Sequence, residues 1–173
     1  MFENTNTYPE DKSHLYPLIK TRLLGLIDGN PHWLPALANA SALLNLALTD
    51  INWAGFYLMN SFLNPAADSS DDFLILGPFH GKPACVKIQV GTGVCGTAVA
   101  RDEIMLVKNV HEFPGHIACD CASNSEIVIP LHSNGKVIGV LDIDSPVIGR
   151  FDEDDRKGLS EYAKILEQLF YCC

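Results

Sequence analysis

The sequence predicts one α+β domain, in which an antiparallel sheet carries helices packed on one face. The chain has 173 residues, which is a typical length for a single domain. Segments with helical periodicity lie towards both ends, and segments with strand character lie between them. This order of elements is typical of an α+β fold. We expect residues 1–12 to form a flexible arm and residues 13–173 to form the domain.

The composition favours a globular protein and excludes several partners. Hydrophobic residues make up 47% of the chain and charged residues 19%, with a net charge of −9. Because an acidic chain lacks the basic surface that binds phosphates, neither nucleic acid nor an anionic membrane is an expected partner. The polar N-terminus lacks the apolar core of a signal peptide, so we expect a cytoplasmic location. We interpret the uncharged residues 29–49 as mainly a buried helix rather than a membrane span.

Three long helices follow from apolar spacing. Leucine and isoleucine recur at four-residue intervals over residues 13–28, and Gly29-Asn30-Pro31 ends that helix. Residues 32–48 form the second helix. Asp152 is a predicted N-cap of the last helix. The apolar stripe of the last helix consists of Leu159, Tyr162, Ala163, Leu166, Leu169 and Phe170.

The middle of the chain has strand character, broken by polar loops. A short helix is expected from Cys95 to about Arg101, after the turn Gly91-Thr92-Gly93. Residues 60–72 and 111–124 lack an apolar period and are predicted to be loops. The predicted strands are residues 52–59, 73–76, 85–90, 104–107, 126–132 and 136–144.

The last two strands form a hairpin whose register decides where the acidic residues lie. A two-residue loop would turn Asp142 and Asp144 towards the core. A three-residue loop, Ser133-Asn134-Gly135, pairs Ile129 with Gly139 and keeps charge out of the core, so it is the predicted register. The predicted core face holds Ile127, Ile129, Leu131, Val137, Leu141 and Ile143. The opposite face holds Glu126, Asp142 and Asp144 together with Val128, Ile138 and Val140.

The three clustered carboxyl groups predict a partly covered pocket rather than a solvated face. Because crowded carboxylates cannot all ionise cheaply, at least one should have a raised pKa and be able to donate a proton near neutral pH. The remaining carboxylates could hold a cation such as an ammonium group.

Six cysteines indicate thiol chemistry, because lasting disulfides are rare in a reducing compartment. They are Cys85, Cys95, Cys119, Cys121, Cys172 and Cys173. A zinc site is one alternative, with the ligands His111, His116, Cys119 and Cys121. This spacing does not match the common zinc motifs, so no metal is expected. Inert buried thiols are the other alternative.

Four sequence runs together carry a family resemblance. They are NWAGFYL (52–58), GPFHGKPACVKIQVGTGVCGTAVA (77–100), FPGHIACDCASNSEIVIPL (113–131) and GKVIGVLDIDSP (135–146). The chain resembles, over about residues 13–170, the free methionine-(R)-sulfoxide reductases, which are single GAF-domain enzymes. The resemblance implies a cytosolic homodimer that needs no cofactor and is reduced by thioredoxin.

The resemblance also implies roles for individual residues. Cys119, in the HIACD run, matches the catalytic thiol. Cys85 and Cys95 match two further family cysteines, one of which acts as the resolving thiol. Cys121 and the terminal Cys172-Cys173 depart from the pattern. Further matches are Glu126, Asp142, Asp144 and Trp53.

Residue chemistry is consistent with these roles. We expect the Cys119 thiolate to attack a protonated sulfoxide, leaving a sulfenic acid that Cys85 converts to a disulfide. Cys95 opens a helix, which would lower its pKa and let it substitute for Cys85.

The acidic and aromatic residues divide the substrate between them in this interpretation. Asp144 is the expected proton donor, and Glu126 and Asp142 are expected to hold the ammonium group of the free amino acid. Trp53 and Tyr57 would wall the methyl and sulfoxide end. The alternative function is a GAF-like sensor that binds a small ligand or a redox signal without turnover.

Overall fold

The computed structural model describes residues 7–29, 32–66, 72–115 and 122–172, and it confirms the predicted α+β class. The helices are α1 (Lys12–Ile27), α2 (Trp33–Ala47), α3 (Asn60–Leu63), α4 (Gly93–Arg101) and α5 (Glu153–Glu167). The strands are β1 (Trp53–Met59), β2 (Phe73–Gly81), β3 (Lys87–Gln89), β4 (Met105–Val107), β5 (Ser125–Ser133) and β6 (Lys136–Ser145). Short 3-10 helices cover Val110–Glu112 and Gln168–Cys172. Among the described residues, no helix is long and apolar enough to cross a membrane.

The strands form one antiparallel sheet of six, in the order β3-β2-β1-β6-β5-β4. Strands β1 and β6 therefore occupy its centre. Side chains of a strand alternate between the two faces of a sheet. One face carries the main core, where Phe56, Leu141 and Ile129 pack with apolar residues of α1, α2 and α5. This arrangement is the predicted layer of helices on one face.

The short helix α4 covers part of the opposite face. Its residues Val94, Cys95 and Ala98 are buried against Val128 and Val140, which point away from the main core. The sheet is thus covered on both sides near its centre. This second, smaller apolar cluster surrounds the polar residues described below.

Asp152 is the N-cap of helix α5, as predicted, and a buried acid ties this helix to α1. The side chain of Asp152 accepts from the backbone of Asp155, whose carboxylate accepts in return from the Asp152 N–H. Asp155 also accepts hydrogen bonds from Tyr16 (2.6 Å) and Lys12 (2.7 Å) of α1. These charge-assisted bonds fix α1 and α5 relative to one another.

The predicted register of the hairpin is wrong, although its three acidic residues do lie on the predicted face. The loop has two residues, Asn134-Gly135, with Ser133 paired to Lys136. Both loop residues have positive φ (50° and 72°), as a tight Asn-Gly hairpin turn requires. Ile129 faces Leu141 rather than Gly139.

A β-bulge explains why the acidic residues lie on the predicted face although the register differs from the prediction. The pairing shifts between Leu131 and His132, which leaves Ile138 as the extra residue of β6. Side chains alternate between the two faces, so one extra residue reverses the facing of the residues that follow it in β6. Asp142 and Asp144 therefore point away from the core. Ile138 itself joins the main core, contrary to the prediction.

Three other boundaries differ from the prediction. The polar segment after β1 begins with the one-turn helix α3, where Asp72 accepts from the backbone and hydroxyl of Ser61. Strand β2 runs to Gly81, because Phe79 and His80 still pair with β1. Strand β3 is confined to Lys87–Gln89, the part that pairs with β2.

His132 connects three elements and creates a pH-dependent contribution to stability. Its Nε2 lies 2.7 Å from an Asp102 oxygen and its Nδ1 lies 2.9 Å from a Glu167 oxygen. Partial burial lowers the pKa of His132, but the two acidic partners outweigh this effect and raise it above the ordinary value.

We predict that H132Q lowers the free energy of unfolding more at about pH 5.5 than at about pH 8.5. A raised folded-state pKa gives a stabilisation that is complete below the unfolded value of about 6.5. It is lost as the pH rises through the folded value. Urea unfolding at both pH values measures the difference, with H14Q, at the exposed His14 of α1, as control. An equal loss at both values would contradict the prediction.

Candidate active site

A pocket opens on the α4 face, where β1, β6 and β5 lie side by side. The register places Asp144 between Trp53 of β1 and Glu126 of β5. Asp142 lies between Gly55 and Val128, one step further along the same face. The pocket is lined by Trp53, Tyr57, Lys82, Pro83, Ala84, Ile88, Thr92, Gly93, Val94, Cys95, Ser123, Glu126, Asp142 and Asp144. The structure therefore brings together all three predicted carboxyl groups.

Glu126 and Asp142 form a buried acidic pair. Glu126 is 6% exposed and Asp142 is 5% exposed, whereas Asp144 is half-buried. Burial raises the pKa of Glu126 well above its ordinary value, and the neighbouring Asp142 and Asp144 raise it further. Burial also raises the pKa of Asp142, to about 6.

The two carboxyl groups do not titrate alike, because the neighbouring Asp142 adds to the rise in the pKa of Glu126. Glu126 is therefore the member of the pair that is more readily protonated. Oδ1 of Asp142 is buried and has no hydrogen-bond partner among the described residues.

Cys95 does not have the lowered pKa that the sequence predicted. It lies in the first turn of α4, but it is buried, and its Sγ donates to Oε1 of Glu126 at 3.8 Å. Burial raises the pKa of the Cys95 thiol well above its ordinary value, and the adjacent acids Asp142 and Glu126 add to the rise. Desolvation and negative neighbours outweigh the helix N-terminus, so Cys95 is a poor nucleophile.

The aromatic wall of the pocket, Trp53 and Tyr57, belongs to a stack of three rings. The indole of Trp53 lies between Phe79 (ring centroids 5.2 Å apart) and Tyr57 (5.8 Å), and its Nε1 donates to the Lys82 carbonyl. Sequence reasoning identified Trp53 and Tyr57 but missed Phe79. Phe79 could be found by extending the predicted strand β2 to Gly81, because Phe79 then pairs with Gly55, beside Trp53.

Two glycines make room for the indole. A Cβ at Gly55 would lie 2.6 Å from Trp53 Cη2, and one at Gly81 would lie 2.5 Å from Trp53 Cδ1. Gly81 also has a φ of +146°, which disfavours any larger residue there. Trp53 can therefore lie flat against the sheet only because Gly55 and Gly81 have no side chains.

The cysteines of the predicted chemistry are only partly described. Cys85 is disulfide-bonded, and Cys95 carries a free thiol, so Cys95 is not the partner of Cys85. Cys119, the predicted nucleophile, lies outside the described residues. The same holds for His116 and Cys121 of the alternative zinc set.

Two further polar residues, His111 and Ser123, complete the description. His111, the fourth residue of the alternative zinc set, forms a hydrogen bond between its Nε2 and Oδ1 of Asn124 at 2.9 Å. The buried Ser123 lines the pocket and accepts from Asn52 Nδ2 at 3.1 Å. Sequence reasoning missed Ser123, since a serine in a polar loop carries no distinguishing signal.

We predict that G55A destabilises the protein by about 1–3 kcal/mol, the usual cost of overpacking. The added methyl would also meet Phe79 Cβ at 2.3 Å, so the indole or β2 must shift. Urea unfolding and tryptophan fluorescence measure both effects. G25A is the matched control, because a Cβ at Gly25 of α1 meets nothing within 4 Å. Wild-type stability and spectrum in G55A would show that the indole is not held as described.

Comparison with known proteins identifies the family. The profile of the GAF domain matches residues 34–169. The free methionine-R-sulfoxide reductase of Escherichia coli is 52% identical over 159 residues, which cover 92% of this chain and 90% of that protein. The free methionine-R-sulfoxide reductase of Saccharomyces cerevisiae is 47% identical over 150 residues, covering 83% and 79%.

A solved structure shows the same relationship in three dimensions. The X-ray structure of free methionine-R-sulfoxide reductase from Neisseria meningitidis in complex with its substrate superposes with a TM-score of 0.80. The two chains are 39% identical, and the match covers 95% of this chain and 93% of that one. The present chain belongs to the GAF-domain family, among its free methionine-R-sulfoxide reductases.

Proposed function

We propose that this protein reduces free L-methionine-(R)-sulfoxide to L-methionine. The observation that carries the proposal is a buried carboxyl pair with raised pKa values, Glu126 and Asp142, in a pocket walled by Trp53. A cationic amine and a polarisable sulfoxide are the two groups that such a pocket suits. The relatives named above support the same substrate.

The pocket distinguishes the two ends of the substrate. Asp142 and Asp144 provide negative charge for the ammonium group of a free amino acid. Trp53 and Tyr57 provide apolar, polarisable surface for the S-methyl end. A peptide-bound methionine has no ammonium group, which accounts for selectivity towards the free amino acid.

The reaction requires one nucleophilic thiol and one proton. The Cys119 thiolate attacks the sulfoxide sulfur as its oxygen takes a proton, which yields the thioether and a sulfenic acid on Cys119. Cys85 then attacks the sulfenic sulfur, releasing water and forming a disulfide. That Cys85 is disulfide-bonded to a cysteine other than Cys95 supports Cys85 as the resolving thiol.

The sequence predicts Asp144 as the proton donor, whereas the electrostatics favour Glu126. Burial and the neighbouring acids raise the pKa of Glu126 well above its ordinary value, whereas Asp144 is half-buried and nearer solvent. Asp144 is then available for the ammonium group. Thioredoxin as the reductant, a homodimeric assembly and a cytoplasmic location follow from the family resemblance and remain predictions.

We predict that C119S abolishes reduction of free methionine-(R)-sulfoxide in a single turnover. C85S should still form one equivalent of methionine but recycle slowly, because its sulfenic acid lacks a resolving thiol. Product counting, a dimedone-type sulfenic acid trap and steady-state turnover with thioredoxin measure these steps, with C172S as control. Turnover retained in C119S would exclude Cys119 as the nucleophile.

The rate of steady-state turnover in C85S also tests the role of Cys85. Unchanged thioredoxin-dependent turnover in C85S would transfer the resolving role to another cysteine.

We predict that E126Q and D144N affect different kinetic constants. E126Q should chiefly lower kcat, because the proton is needed in the transition state. D144N should chiefly raise KM, because the ammonium contact is present in the ground state as well. Kinetics at several pH values measure both constants. Near wild-type constants in both variants would contradict the assignment of the carboxylates.

A substrate analogue provides an independent check of the ammonium contact. N-acetyl-methionine sulfoxide has lost the positive charge, so it should be reduced much more slowly than the free amino acid. Comparable rates would contradict an amine site. Tight binding of the free amino acid without turnover would instead indicate the sensor function.

A further inference from the structure

We propose that Cys95, Glu126 and Asp142 form a binding site for a thiophilic divalent cation such as Zn²⁺, which excludes the substrate. The exclusion rests on the proposed function, because the cation would take the position of the ammonium group. The binding itself depends only on the three side chains and their geometry.

The three side chains place their donor atoms at distances suitable for one ion. The Cys95 sulfur and one oxygen from each carboxyl group all lie within 4.8 Å of one another. Sγ of Cys95 is 3.8 Å from Oε1 of Glu126. With Zn–S near 2.3 Å and Zn–O near 2.0 Å, tetrahedral neighbours are about 3.5 Å apart, so small side-chain shifts complete the site.

Asp142 provides a second, independent indication of a ligand. This side chain is 5% exposed, yet its Oδ1 has no hydrogen-bond partner among the described residues. A buried acceptor without a donor is costly. Asp142 lines the same pocket as Cys95 and Glu126, and a cation bound between the three side chains would satisfy this oxygen.

The donors are held on rigid elements. Cys95 lies in the first turn of α4, Glu126 on β5 and Asp142 on the adjacent β6. Position on neighbouring packed elements pre-organises the ligands, so little conformational entropy is lost on binding. Three protein ligands leave a fourth tetrahedral position open towards the pocket, where a water molecule would complete the coordination.

The ligand types select the metal. A thiolate with two carboxylates suits Zn²⁺ or Co²⁺, whereas Mg²⁺ and Ca²⁺ prefer oxygen ligands alone. Because thiols and carboxyl groups bind a metal in their deprotonated forms, binding displaces protons to solvent and weakens as the pH falls.

Cobalt is the probe that tests the site, because a thiolate ligand gives Co²⁺ a charge-transfer band in the near ultraviolet. Co²⁺ is titrated into the full-length protein with its Cys85 disulfide intact. We expect one equivalent to bind with this band, and excess free methionine sulfoxide to abolish it. C95S should lose the band, and D142N should weaken binding about tenfold or more.

Matched variants make the test decisive. C172S, in the 3-10 helix after α5, removes a cysteine from a different element and should retain the band. A band that persists in C95S, or unchanged affinity in D142N, would overturn the site, and circular dichroism shows that each variant is folded. A band insensitive to methionine sulfoxide would overturn the exclusion of substrate.

The readout separates this inference from the proposed function. Cobalt spectra need no turnover, whereas reductase activity is measured in chelator-treated protein. Loss of activity without metal would contradict the proposal that the cation only inhibits. Absence of activity in every condition, with the cobalt band intact, would reject the reductase function and leave the metal site standing.

Discussion

The pair of buried carboxyl groups, Glu126 and Asp142, is the constraint around which the rest of the pocket is organised. Two ionised carboxylates at this depth would each cost several kcal/mol of desolvation, so the pair retains a proton. The surrounding residues limit contact between the pair and solvent: α4 packs over this face, and Trp53 and Tyr57 stack at its side. Chemistry that needs a proton near neutral pH and a negative charge beside it follows from this one arrangement.

The folded protein can accommodate the acidic pair because the sheet separates it from the main core. Strand alternation places Ile127 and Leu141 in the helix-covered core and Glu126 and Asp142 on the other face. The bulge near Ile138 is essential to this separation. It allows a tight Asn-Gly turn without reversing the faces, so turn chemistry and charge burial are both satisfied.

Much of this could be predicted from the sequence, because apolar periodicity and charge avoidance are local signals. They predicted the three long helices and the shared face of the three carboxyl groups. The bulge could not be predicted, because a single extra residue such as Ile138 leaves the apolar pattern almost unchanged. The reversed pKa shift of Cys95 could not be predicted either, since it depends on acids from β5 and β6 that only tertiary packing brings to α4. Cys119 lies outside the described residues, so its role rests on the family resemblance.

Thiol chemistry in this fold depends on where each sulfur meets the acidic pair. Cys95 contacts Glu126 directly and is therefore kept protonated and unreactive. Its weak donation to Glu126 stabilises the negative form of that group, which partly offsets the effect of burial. A reactive thiolate must lie farther from these charges, because like charge raises a thiol pKa. In the proposed mechanism, the interior of the pocket holds the proton and the ammonium group of the substrate, and the nucleophilic sulfur approaches from outside the carboxyl pair.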